Sequence, residues 1–124
     1  MLQIGRFDKF KGARTVLLTG TGEEIASLSK QLAQVVAASG DSLPLHEIAL
    51  VAPSHPLRLF AVRAIPNDGE KDAAYWPCDA AVIDKLISLA ATGAGHQYFD
   101  IAGPETTLLA SVGEYDANWW QKNG

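Results

Sequence analysis

Residues 14–36 change hydrophobic period once, and that change limits what the chain can fold into. Arg14 to Thr19 (RTVLLT) is β-branched and apolar between Gly12 and Gly20, which is the make-up of a buried strand. From Glu23 onward Ile25, Leu28, Leu32, Val35 and Val36 recur at helical spacing, with Gly40 as the stop. A strand followed directly by a helix with one apolar face requires a sheet for that helix to lie on.

The rest of the chain supplies the remaining pieces of that expectation. Leu2 to Phe7 reads as a partner strand. Leu45 to Ala52 and Leu57 to Ala64 read as an antiparallel hairpin with Pro53, Ser54, His55 and Pro56 in its loop, where prolines cost the ladder nothing. After the turn-rich segment Pro66 to Asp72 comes a short strand at Ala73 to Trp76. A second helix then runs from Asp79 to Thr92, turning Val82, Ile83, Leu86, Ile87 and Leu89 inward and leaving through Gly93 and Gly95. The last hairpin pairs His96 to Ala102 with Thr106 to Glu114 around Gly103, Pro104 and Glu105. The fold class is therefore α+β: a mainly antiparallel sheet with two helices packed on one face. LHEIALVAP at 45–53 and GHQYFDIAG at 95–103 each follow a helix and open a hairpin, giving two α-ββ units of similar plan.

Composition narrows the class of protein. With 124 residues, 48% hydrophobic and 19% charged, residues 1–124 suit a single packed domain that buries roughly two-thirds of its unfolded surface. Apolar runs such as Ile48 to Pro53 are far shorter than the roughly 20 residues of a membrane helix, and no basic-then-apolar leader is seen, so the expectation is cytoplasmic with no membrane partner. The net charge of −4 is segregated. Arg6, Lys9, Lys11 and Arg14 make the beginning basic, while Asp100, Glu105, Glu114 and Asp116 make the end acidic. Four basic residues among Phe7 and Phe10 fall short of the excess that nucleic-acid binders carry, so no nucleic-acid partner is expected.

Motifs that would announce chemistry are incomplete. TGTGEEIAS at 19–27 lies between a strand and a helix, where phosphate loops occur. However, Ile25 stands where the dinucleotide fingerprint needs its third glycine, and Glu23 and Glu24 would repel a phosphate. His46, His55, His96 and Cys78 lack the spacing of a metal site, so neither metal nor cofactor is expected. Cys78 has no cysteine to pair with and reads as a small core or cap residue. Near the start of the second helix its thiol would be acidified by the helix dipole.

The final hairpin is the most informative stretch, because strand alternation sorts its side chains. Phe99 and Ile101 share a face with Leu108, Ala110 and Val112. His96, Tyr98 and Asp100 share the other with Thr107, Leu109 and Ser111. The first face is dry and belongs to the helices; the second is mixed. His96 and Asp100, four residues apart on one strand, have roots about 13 Å apart, too far for an acid/base dyad. Beyond the strand lie Tyr115, Trp119 and Trp120. One tryptophan is expected to close the core and the other to stay available for binding.

The RTVLL strand, the amphipathic helix, LHEI, LISLAATGAGHQYFDI and LLASVGEY together resemble a group of small bacterial proteins, uncharacterised or assigned as immunity proteins of polymorphic and contact-dependent toxin systems. The resemblance spans most of the chain, and its distinctive parts are GHQYFD and GEY. These match Gly95, His96, Gln97, Tyr98, Asp100, Gly113, Glu114 and Tyr115. It implies a non-enzymatic cytoplasmic protein that binds a cognate toxin and blocks it. The resemblance assigns no role to the matching residues; the binding residues expected from the mixed sheet face and the C-terminal surface are His96, Tyr98, Asp100, Glu114, Tyr115 and Trp119. A second reading is a small enzyme or ligand-binding domain whose pocket gathers His96, Asp100, Glu114 and Cys78. A third is a homodimer formed through the mixed face.

Overall fold

In the computed structural model, which describes residues 1–10, 13–37 and 42–124, the chain opens with β1 (Gln3–Phe10) and turns back as β2 (Ala13–Gly20). Gly12, Gly40 and Lys11 lie outside the described residues. Helix α1 (Gly22–Ala37) follows, then β3 (Ser42–Pro44), the single helical turn α2 (Leu45–Ile48) and β4 (Leu50–Val51). Next come β5 (Leu59–Val62), β6 (Ala74–Pro77), α3 (Ala80–Thr92), β7 (Gly95–Asp100), β8 (Thr107–Val112) and α4 (Ala117–Asn123). None of the described helices is long and apolar enough to cross a membrane.

The fold is α+β, but its sheets are mixed. The larger has the strand order β4-β1-β2-β8-β7 and the smaller β3-β5-β6. Hairpins β1–β2 and β7–β8 are antiparallel, as their short connections require. They meet through β2 and β8, which run parallel from Thr15 opposite Thr107 to Gly20 opposite Val112. Between β2 and β8 the chain passes through α1 and α3, and such a crossover returns a strand in the same direction. The pairs β1–β4 and β5–β6 are parallel too.

The hairpin expected at 45–64 does not form. Leu45 begins a helical turn and is fully buried, β4 joins β1 in the large sheet, and β5 sits between β3 and β6 in the small one. The loop at Pro53 to Pro56 thus carries the chain from one sheet to the other. Short apolar runs do not distinguish a buried helical turn from a strand, and here burial in both settings satisfies the same residues. Of the two α-ββ units, only the second, α3-β7-β8, exists.

One face of the large sheet packs against α1 and α3. Ile4, Val16, Leu18, Phe99 and Leu108 meet Ile25, Leu28 and Leu32 of α1 and Leu86 and Leu89 of α3. Trp76 of β6 is fully buried in the same core, which ties the small sheet to the large one. Ile87 was expected to point inward and is instead 50% exposed, while Val82 and Ile83 are only partly buried, so α3 turns a narrower stripe to the core than its apolar content suggests. The opposite face is also covered, contrary to a fold with helices on one side only. Helix α4 lays Trp120 against Phe7, Leu17 and Leu109, and the Trp120 indole donates to Thr19 Oγ1 at 2.8 Å.

Candidate functional site

Strand alternation places the residues of the mixed face as the sequence implies. Phe99 is 5% exposed beneath the helices, whereas Tyr98 is 49% exposed on the other side, flanked by exposed His96 and Asp100. Leu109 and Ser111 share that side but are buried, because the aromatic cluster around α4 reaches over the centre of the sheet. What stays open is therefore the outer strand, β7.

His96 pairs with Glu114, not Asp100. Both carboxylate oxygens of Glu114 lie 3.0 Å from His96 Nδ1, and the rings of His96 and Tyr98 meet edge to face at 5.5 Å. Cross-strand register puts Ser111 opposite His96, and the chain beyond β8 then reverses at Gly113, whose φ of 80° is left-handed. That reversal brings Glu114 back over the strand end, where Ser111 Oγ donates to its Oε1 at 2.6 Å. The signal was present in the sequence: a glycine after an alternating strand, with a carboxylate next to it. Asp100, at the far end of β7 opposite Thr107, is not brought to this group.

The order of the contacts decides what they can do. A nucleophilic serine needs the histidine beside it as base and the acid behind the histidine. Here the carboxylate lies between serine and imidazole and itself accepts the serine's hydrogen bond, so Ser111 is fastened rather than activated. Cys78 is no closer to chemistry. It is buried against the Trp76 carbonyl, and burial, reinforced by the neighbouring Asp79 carboxylate, pushes its thiol up to about 12. The expected acidification by the α3 dipole is overridden because desolvation penalises a thiolate more than the helix end favours it.

The backbone of β7 carries a further property. Ile101 N–H donates to Thr106 O at 3.1 Å, toward β8. Successive residues in an antiparallel ladder alternate direction, so Phe99 and Gln97 also face β8, and the N–H and C=O groups of His96, Tyr98 and Asp100 face outward. Ala102 has the same parity, and its outward groups exchange hydrogen bonds of 2.7 and 2.9 Å with Tyr75 of β6. Among the described residues the edge is therefore filled at Ala102 and open from His96 to Asp100.

The other expected residues lie elsewhere. Tyr115 and Trp119 are half-buried and pack edge to face at 4.9 Å, with Trp119 also against Phe7 and Trp120, so they join the α4 cluster and not the β7 strip. The acidic end of the chain is largely spoken for. Glu105 is buried with Arg6 Nε 3.2 Å from its Oε1, too poorly aligned for a hydrogen bond; Asp116 caps α4 by accepting from Trp119 N–H at 2.9 Å. His46 accepts from Leu59 N–H at 3.1 Å and fastens α2 to β5, and the His55 ring lies 4.1 Å from that of Phe7. Among the described residues no group of histidine, cysteine and carboxylates could hold a metal.

A crevice of about 410 Å³ opens at the carboxyl ends of β2 and β8, walled in part by Thr19, Gly22, Gly93, Gly113 and Tyr115. His96 and Glu114 do not line it. The start of α1 on its rim is closed by the chain itself: Glu24 N–H donates to Thr21 Oγ1 at 3.1 Å, and Thr21 N–H donates back to Glu24 Oε1 at 2.9 Å. Partial burial pushes the Glu24 carboxyl upward, but the N-terminal ammonium and Thr21 outweigh it and hold the carboxyl below its ordinary value. The phosphate loop already doubtful in the sequence is thus a capping box.

Compared with known proteins, the chain matches no family model, no curated protein and no solved structure.

Proposed function

We propose that this chain is a non-enzymatic protein-binding domain whose recognition element is β7. Following the resemblance of GHQYFD and GEY, the partner is a bacterial toxin that the domain neutralises in the cytoplasm. The observation that carries the reading is Tyr98, a large aromatic residue 49% exposed at the middle of a strand whose outward hydrogen-bonding groups have no strand partner among the described residues. An extended segment of a partner can add to such an edge, with main-chain hydrogen bonds giving affinity and the alternate side chains giving specificity. Tyrosine suits the centre of the contact because it buries much area for little lost rotamer freedom.

The test is titration of the purified domain against the toxin-like product of a neighbouring gene, at concentrations below a micromolar. Tyr98→Ala is expected to weaken binding by about thirtyfold or more, the range of an aromatic anchor, and Asp100→Ala by less. Normal binding by both variants would remove β7 from the contact.

The enzyme reading has one observation in its favour, the His96–Glu114 contact at 3.0 Å. Against it, Asp100 is at the other end of the strand, Cys78 is buried, and Ser111 is bonded to the carboxylate.

A further inference from the structure

We infer that, in the absence of another partner, β7 pairs with β7 of a second copy of this chain, antiparallel and with the two-fold axis passing through Tyr98. The inference rests on the reading of β7 as the recognition element and names one occupant for it.

The outward groups of His96, Tyr98 and Asp100 are spaced symmetrically about Tyr98. An antiparallel pairing centred there sets Tyr98 against the partner's Tyr98 as a hydrogen-bonded pair, and His96 and Asp100 fall on hydrogen-bonded pairs on either side. The same register places His96 opposite the partner's Asp100, and Asp100 opposite the partner's His96. Opposite residues in a ladder share a face, about 5.5 Å apart at the backbone, so an imidazole meets a carboxylate twice. Shifting the axis to Gln97 or Phe99 loses both of these pairs and leaves His96 or Asp100 facing Tyr98. The contacts of Glu114 with His96 are to Nδ1, so in the protonated imidazolium, where both ring nitrogens are donors, the other nitrogen can donate to the partner's carboxylate.

The edge also lacks three of the devices that keep strands from pairing: Gly95 to Asp100 contains no proline and no lysine, and its register with β8 runs without a bulge. Its open length is five residues, about 17 Å, ending where Tyr75 of β6 takes up Ala102. So short a contact buries less than a standard interface, which makes the dimer weak.

Sedimentation velocity over about 5 µM to 1 mM tests this. The wild type is expected to pass from its 13.2 kDa monomer toward twice that mass. His96→Asp sets two carboxylates opposite each other, and Asp100→Lys sets a cation opposite His96, so each variant alone is expected to stay monomeric. Mixed in equal amounts they are expected to associate again, because the introduced carboxylate then faces the introduced ammonium. Native tryptophan fluorescence checks folding; Asp100→Lys leaves the His96–Glu114 contact in place and carries the test if the other variant unfolds. A wild type that is monomeric at 1 mM overturns the dimer, and so do single variants that associate as the wild type does. The toxin titration is made at concentrations where the chain is a monomer, so failure of the dimer leaves the recognition reading standing, and a Tyr98→Ala variant that binds normally removes that reading by itself.

Discussion

Hairpins β1–β2 and β7–β8 belong to the same sheet and bury their helix-facing residues in the same core, yet their outer strands differ. Strand β1 is paired by β4 at Gln3 and Ile4 and covered on its outer face, whereas in the second hairpin the cover reaches only β8 and leaves β7 open. On the β1 side β4 pairs through Gln3–Leu50 and Ile4–Val51, and Trp120 closes the face over Phe7 and Leu17. On the other side β7 ends the sheet, with Tyr98 half-exposed beside the His96–Glu114 contact. The difference is in what the chain does after each hairpin. The segment after α1 returns to lie along β1, while the segment after β8 folds across the sheet away from β7.

Three measurements sharpen or break this contrast. The largest effect is expected from Trp120→Ala, which empties the centre of the covered face and leaves the Thr19 hydroxyl without its indole donor. Urea unfolding should show a loss of about 3–5 kcal/mol; a loss under 1 kcal/mol would mean that the cover is ornamental and that the two hairpins are alike.

Smaller, and dependent on pH, is the contribution of Cys78, which shares the dry core with Phe99 beneath the open hairpin. Its folded-state value of about 12 lies above the ordinary 9.0, so the protonated thiol favours the folded state. The contribution is complete below pH 9 and declines as the unfolded thiol ionises above it, being lost by about pH 12. Wild type should therefore lose stability faster than Cys78→Ala between pH 9 and 11, by about 1–3 kcal/mol. Native protein should also resist thiol reagents at pH 8. Equal slopes and rapid labelling would mean that water reaches the core from the β7 side.

The smallest effect on stability is expected from Tyr98→Ala, within about 0.5 kcal/mol by urea unfolding, since the residue is already about half exposed. A loss of several kcal/mol would make Tyr98 part of the fold and the contrast between the hairpins a matter of appearance.

Much of this arrangement was legible beforehand, for reasons that can be assigned. The strand at Ala13–Gly20, the helix at Gly22–Ala37 and the sorting of Phe99 from Tyr98 all follow from side-chain periodicity, which depends only on neighbours along the chain. Residues 45–64 were misread because each apolar run satisfies burial as strand or helical turn, and the choice was made by partners outside the run, Leu2 and Ile4 for one and β3 (Ser42–Pro44) with β6 (Ala74–Pro77) for the other. Helix α4 was missed because seven residues are too few for a periodic signal; its cap at Asp116 was the available hint. Glu114 was assigned to the site, but its pairing with His96 was not foreseen, because that pairing depends on the turn at Gly113 and not on spacing within one strand.

The sequence by itself determined which residues of β7 face the helices and which face away, since a period of two follows from backbone geometry alone. The tertiary structure alone decided that β2 and β8 run parallel, that α4 covers one part of the outer face and leaves β7 open, and that Glu105 is buried near Arg6. Those outcomes depend on which surfaces, far apart in the chain, bury each other best, and no local pattern of residues encodes that competition.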